Sequence, residues 1–152
     1  MQFQLIVFMG LQASGKTSYY IDNFMHSHLH VSLDVLKTRP RERRLVDLCL
    51  GMKQSMVIDN TNLSKADRAR YIEGARDKEF AVHGYYFSSK IKEALARNSL
   101  RIGKKKVPDV AILASSKRLQ LPAANEGFDK LFYVSIVDGK FVTKEWDGKA
   151  KS

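Results

Sequence analysis

The apolar positions of the chain fall into short blocks whose period changes along its length. Residues 3–9 form a continuous apolar run with β-branched members, the pattern of a strand buried on both faces. A helix is predicted over 14–24, a short strand over 28–33, a second helix over 41–52, and a third strand over 55–59 that ends on Asp59. Ser64, with Asp67 three residues on, opens a further helix in a variant of the capping box. Its buried side is predicted to be Ala66, Ala69, Tyr71, Ile72 and Ala75. A strand over 80–87, a helix over 90–100 and a helix from Pro108 to about 119 follow. Two last strands, 131–137 and 141–146, flank the hairpin turn Asp138-Gly139.

Strand followed by helix, four times over, predicts an α/β fold: a parallel sheet with helices on both faces, closed by C-terminal hairpin strands. In such sheets ligands bind beyond the carboxyl ends of the strands, where this reading places Asp34 and Asp59. The 152 residues suit one domain, spanning 1–152, and only 147–152 reads as linker-like.

Composition adds a charge argument. Twenty-six Lys and Arg against 16 Asp and Glu leave +10, which favours a polyanionic partner: nucleic acid, an anionic membrane or a phosphorylated substrate. Cys49, the single cysteine, excludes an intramolecular disulfide and reads as a small buried apolar residue. The longest apolar run, 5–10, is too short to span a bilayer, and no secretory signal precedes it. A cytoplasmic protein without a membrane partner is expected.

Residues 10–17, Gly-Leu-Gln-Ala-Ser-Gly-Lys-Thr, match the phosphate-binding pattern G-x-x-x-x-G-K-[ST] at every position. The glycines let the backbone wrap a phosphate chain and aim N–H groups at it. Lys16 is expected on the β- and γ-phosphates and Thr17 on Mg²⁺. Gly10, Ala13, Ser14, Gly15, Lys16, Thr17 and Ser18 are therefore the candidate site for ATP or GTP, at the positive end of the following helix.

Phosphoryl transfer also needs a carboxylate for the acceptor hydroxyl, cations for developing charge, and an acceptor pocket. Asp34 is the favoured carboxylate. Asp59, placed like a Walker B acid, competes with it as base, Mg²⁺ holder or partner of a cation. Around them lie two basic segments. Lys37, Arg39, Arg41, Arg43 and Arg44 stand against one acid, Glu42, with Arg43 and Arg44 on a solvated face. Arg97, Arg101 and Lys104 to Lys106 have no acid among them. Arg97 and Arg101, four apart, share a helix face, and residues 97–108 read as a lid. Ten of the 26 cations thus flank the proposed acceptor site, which argues for an anionic acceptor.

These features together resemble the polynucleotide 5′-hydroxyl kinase family, the kinase module of phage and animal end-healing enzymes. The likeness covers nearly the whole chain. It rests on the loop at 10–17, Ser-Leu-Asp at 32–34, Val-Ile-Asp-Asn-Thr-Asn-Leu at 57–63 and Arg-Ala-Arg-Tyr at 68–71. It continues with Ala-Arg-Asn-Ser-Leu-Arg at 96–101, Val107-Pro108, Leu121-Pro122 and Glu-Gly-Phe at 126–128. The resemblance implies a P-loop kinase fold with Asp34 as general base, Arg97 and Arg101 on the donor phosphates, and Val107 packed on the terminal base. It further implies that Asp59, Asn60 and Asn62 shape the acceptor pocket, and that the partner is a 5′-OH end of DNA or RNA. A phage- or virus-encoded source fits it. Lys37 stands where some members carry an Arg that grips an acceptor phosphate; it keeps the charge without the planar fork, and Arg39 is the substitute. Asp59 lies one position before the acid of the phage enzyme, whose place Asn60 takes. With no Asp-x-Asp signature and no room for a second catalytic domain, kinase activity without 3′-phosphatase activity is expected.

Two rival functions are a kinase for a nucleoside, sugar or nucleotide-sugar, and a nucleotide-dependent nucleic-acid-binding module without turnover. His26, His28 and His30 are read as a polar helix end and an exposed strand edge rather than a metal site. Tyr85, Tyr86 and Phe87 are assigned to the fourth strand, and Trp146 to packing. Glu126, Gly127 and Phe128 are either a structural turn or a contact to adenine.

Overall fold

The computed structural model describes residues 2–148; of the linker-like tail, 149–152 lie outside the described residues. The chain order is β1 (Gln4–Met9), α1 (Lys16–Asn23), β2 (Leu29–Val31), α2 (Leu33–Leu36), α3 (Arg39–Gly51), β3 (Met56–Asp59), α4 (Lys65–Asp77), β4 (Ala81–Phe87), α5 (Ile91–Ser99), α6 (Asp109–Arg118), β5 (Lys130–Val137) and β6 (Lys140–Glu145). Two single 3-10 turns, Gly103–Lys105 and Ala124–Glu126, interrupt the loops.

The six strands form one sheet in the order β2-β3-β1-β4-β5-β6. All neighbours are parallel except the hairpin pair β5 and β6. β1 is central, which is why its apolar run does not alternate. Leu5, Val7 and Met9 face Val46, Cys49 and Leu50 of α3 with Tyr71, Ile72 and Ala75 of α4. Ile6 and Phe8 face the opposite way, onto Tyr19 and Tyr20 of α1 with Val57, Phe87 and Val134. Phe8 is level with Asp59 on one side and Tyr85 on the other, so the carboxyl ends of three strands open together. Cys49 is fully buried, as expected. Asp138 and Gly139 both take positive φ, 50° and 76°, the two-residue hairpin geometry whose twist matches the strands.

Three sequence expectations change. The strand expected over 28–33 is only Leu29–Val31, because the Ser32 hydroxyl accepts the N–H of Asp34 and starts a helical turn. Asp34 therefore sits in the first turn of α2 and not at a strand end. α3 starts at Arg39, capped by the Thr38 side chain with Pro40 in its first turn. The buried face of α4 is rotated: Ala66 and Ala69 are exposed, and Arg68 joins Tyr71, Ile72 and Ala75 inside. The reciprocal capping box of Ser64 and Asp67 is present as predicted.

Candidate active site

The phosphate loop joins β1 to α1 at the open end of the sheet. Gly10 donates its N–H to the Thr61 carbonyl, and Leu11 donates to the Ser89 hydroxyl, which pins the loop to the ends of β3 and β4. Gly15, at φ 94°, precedes α1; a Cβ there would lie 2.9 Å from the Phe141 ring, so backbone and packing both require glycine. α1 has no side-chain cap and no acid in its first turn. Its leading amides, which lack intrahelical acceptors, are left for an anion. These features fit a polyphosphate.

Lys16 is 9% exposed. Its ammonium donates to the carbonyls of Gly10 (3.0 Å) and Leu11 (2.7 Å) and, more weakly, to the Ser14 hydroxyl. Burial lowers its pKa to about 8, against the opposing charge of Asp59; Arg101 lowers it further and Asp34 raises it. Two residues distant in sequence, Asp34 and Arg101, thus act electrostatically on the loop lysine.

Asp59, 6% exposed, accepts the Thr17 hydroxyl at 2.8 Å and His30 Nε2 at 2.7 Å, both on Oδ2. A hydroxyl and a carboxylate, both hard oxygen donors, suit Mg²⁺. His30 was expected on an exposed strand edge, and its place at the site is a correction. Its ring also stacks on Tyr20, 4.2 Å between centroids. Among the described residues no group of three or more His, Cys, Asp or Glu could hold a metal ion. His28 instead hydrogen-bonds Ser27 and Gln4.

Asp34 is exposed on α2, and its carboxylate makes no hydrogen bond or ion pair among the described residues. The helix that carries it is anchored from below. Asn60 Oδ1 accepts the Leu33 N–H, while its Nδ2 donates to Glu42, a carboxylate only 2% exposed. Glu42 also accepts from the Tyr71 hydroxyl and from Arg39. Burial and the Glu42 charge push the Tyr71 pKa far up, so the phenol stays a donor. Arg39 spends one guanidinium nitrogen on Glu42 and Tyr71 and keeps only part of its surface for a ligand. Lys37 is exposed, in a positive-φ conformation (73°), just after α2. Asn62 is almost fully buried, its amide donating to the Phe8 carbonyl at 2.7 Å. It braces the end of β1, while its Oδ1 is buried without a hydrogen-bond partner among the described residues. The sequence signal for Ser32 was the Ser-x-Asp start of a helix; Tyr71 was read as a buried position of α4, and Glu42 carried no local signal.

The segment 97–108 begins in α5, which ends at Ser99, so Arg101 lies past the helix and does not share a helix face with Arg97, contrary to expectation. Arg97 is half-buried, 4.0 Å from Glu93, and Arg101 donates to the Lys105 carbonyl. Fully buried Asn98 donates to the Val107 carbonyl and accepts the Val107 N–H, fixing that residue against Leu11, Leu63, Ala94 and Ile112. Sequence reasoning missed Asn98. Its signal is a polar residue on the buried side of α5, in line with Ala94.

Glu126 is structural. It pairs two-pronged with Arg68, whose side chain is wholly buried and also donates to the carbonyls of Asn62 and Leu63. The pair holds the β3–α4 loop behind the site. Phe128 enters the main core, and Gly127 takes φ 112°. The turn reading of 126–128 therefore holds. Trp146 packs on Tyr86 and Tyr133 and donates to the Pro122 carbonyl. No described helix is long and apolar enough to cross a membrane.

Comparison with known proteins adds to this geometry. A family model described as an AAA domain matches residues 37–122. The chain is 28% identical over 131 residues, 82% of its length, to a bifunctional polynucleotide phosphatase/kinase of Schizosaccharomyces pombe. It is 27% identical over 142 residues, 88% of its length, to a putative bifunctional polynucleotide phosphatase/kinase of Acanthamoeba polyphaga mimivirus. It spans about a third of those relatives, 32% and 33% of their lengths. Among solved structures, a gluconokinase from Sinorhizobium meliloti superposes with a TM-score of 0.61 at 16% identity, over 89% of this chain and 84% of that one. That likeness concerns the fold, an α/β P-loop kinase architecture.

Proposed function

This chain belongs to the AAA-domain family, and we propose that it transfers the γ-phosphate of ATP to the 5′-hydroxyl end of DNA or RNA. The observation that carries the reading is a phosphate loop with a buried Lys16 and a Thr17 hydroxyl bonded to Asp59, together with an exposed Asp34 carboxylate that has no partner among the described residues. A buried loop lysine, a carboxylate for the acceptor proton and cations for the developing charge are the parts that phosphoryl transfer needs. The similarity to proteins named polynucleotide phosphatase/kinase supports a nucleic-acid acceptor. We propose only the kinase activity for these residues, with no 3′-phosphatase activity.

The loop amides and Lys16 hold the ATP phosphates, with Gly10, Ala13, Ser14, Gly15 and Ser18 shaping the cradle. Mg²⁺, when bound, neutralises charge on the β- and γ-phosphates, and Thr17 is the residue that would hold it. Asp34 takes the proton of the acceptor hydroxyl as that oxygen bonds to the γ-phosphorus. The bond from phosphorus to the β–γ bridging oxygen breaks, and ADP leaves. Asp59 is poorly suited as the base, since its buried Oδ2 already accepts two hydrogen bonds. Arg97 and Arg101 meet the charge of the transferring group. Lys37, the open face of Arg39 and Val107 receive the acceptor, with Asn60 and Asn62 supporting its pocket from behind.

A small neutral hydroxyl acceptor needs few cations, whereas a polyanion releases counterions at each neutralised phosphate. Lys37, Arg43, Arg44 and Lys104 to Lys106 form no ion pair among the described residues and remain available. The KM for a single-stranded 5′-OH oligonucleotide is expected to rise with KCl at a log–log slope of about 2, from roughly three phosphates at ~0.7 each. A slope near zero, with gluconate or a nucleoside accepting phosphate instead, would replace this reading with a small-molecule kinase.

A further inference from the structure

His30 lies on β2, an edge strand of three residues, level with Val57 of β3, so the pleat places it on the α1 face that also carries Asp59. There it meets Asp59 Oδ2 at 2.7 Å. An ionised carboxylate only accepts hydrogen bonds, so Nε2 carries the hydrogen. The ring plane is fixed independently by stacking on Tyr20, at 25° and 4.2 Å, and Tyr20 is itself tied by its hydroxyl to the His28 carbonyl at 2.7 Å. This imidazole is therefore oriented from two directions.

The same Asp59 oxygen accepts the single hydroxyl hydrogen of Thr17. That bond turns the lone pairs of the Thr17 oxygen away from Asp59. Asp59 is also the strongest opposite charge acting on Lys16. A carboxylate free to swing would leave Thr17.

We propose that His30 is a positioning residue: it holds the Asp59 carboxylate on Thr17, so that the Thr17 oxygen faces the Mg²⁺ of bound Mg–ATP. This rests on the ATP and Mg²⁺ part of the function proposed above and is independent of the acceptor. Partners that orient metal-site groups typically contribute ten-fold or more to metal affinity.

The test uses the whole chain and two variants. His30→Phe keeps a ring to stack on Tyr20 and removes the donor; His30→Gln restores an N–H donor without the ring. Binding of a fluorescent ATP analogue is titrated with Mg²⁺ and repeated in EDTA, with thermal melting alongside. For His30→Phe, the Mg²⁺ concentration giving half-maximal tightening is expected to rise about ten-fold, with binding in EDTA unchanged. His30→Gln is expected to stay within about three-fold of the parent, because the donor is what matters. Wild-type Mg²⁺ dependence in His30→Phe, or equal loss in both variants, overturns the proposal. A parent protein that tightens on ATP with Mg²⁺ but labels no oligonucleotide leaves this inference standing and removes the acceptor assignment.

Discussion

Asp34→Asn is expected to lower phosphoryl transfer by about 10²–10⁴-fold while ATP binding stays near that of the parent protein. The substitution is close to isosteric and keeps the backbone N–H that Ser32 caps, so α2 should hold its place. The carboxylate has no partner to lose among the described residues, which removes the usual route by which an acid-to-amide change destabilises a fold. What disappears is the carboxylate proposed to take the acceptor proton. Single-turnover rates with saturating ATP, beside equilibrium ATP binding, separate the two effects. A variant that transfers phosphate at nearly the parent rate would move the base elsewhere, with Asp59 the first candidate despite its two hydrogen bonds.

Arg101→Ala should cost on the order of 10³-fold in rate, the scale of cationic contacts to a transferring phosphoryl group. Arg101 is partly exposed, just beyond α5, and its guanidinium donates to the Lys105 carbonyl. Its removal should therefore leave the fold intact. Arg101→Lys should recover only part of the rate, since a lysine supplies the charge without the planar two-pronged fork. An effect on ATP affinity as large as that on rate would make Arg101 a ground-state binder and not a group that acts on the transferring phosphate.

Much of this was legible from sequence because it depends on local pattern. An apolar run with no alternation can be stable only in the middle of a sheet, and β1 is there. The glycines and Lys16 of the loop are spaced by the phosphate chemistry itself. Ser64 and Asp67 close their capping box within four residues. What was not legible depends on partners far apart in the chain. His30 finds Asp59 across 29 residues, and Arg68 finds Glu126 across 58, so an arginine in an apolar stripe looked like the wrong face of α4. Asp34 was placed at a strand end because Leu33 extends the apolar run. The Ser32 cap and the bond from Leu33 to Asn60 end the strand sooner. The buried carboxylate of Glu42, hidden inside a run of five cations, is the support that the basic composition concealed.

The most direct test is transfer of γ-labelled phosphate from ATP, with Mg²⁺, to single-stranded 5′-OH oligonucleotides of DNA and RNA, with Lys16→Ala as control. Label on the oligonucleotide that vanishes in the control is the predicted result. An unlabelled oligonucleotide despite measurable ATP binding would contradict the proposed acceptor.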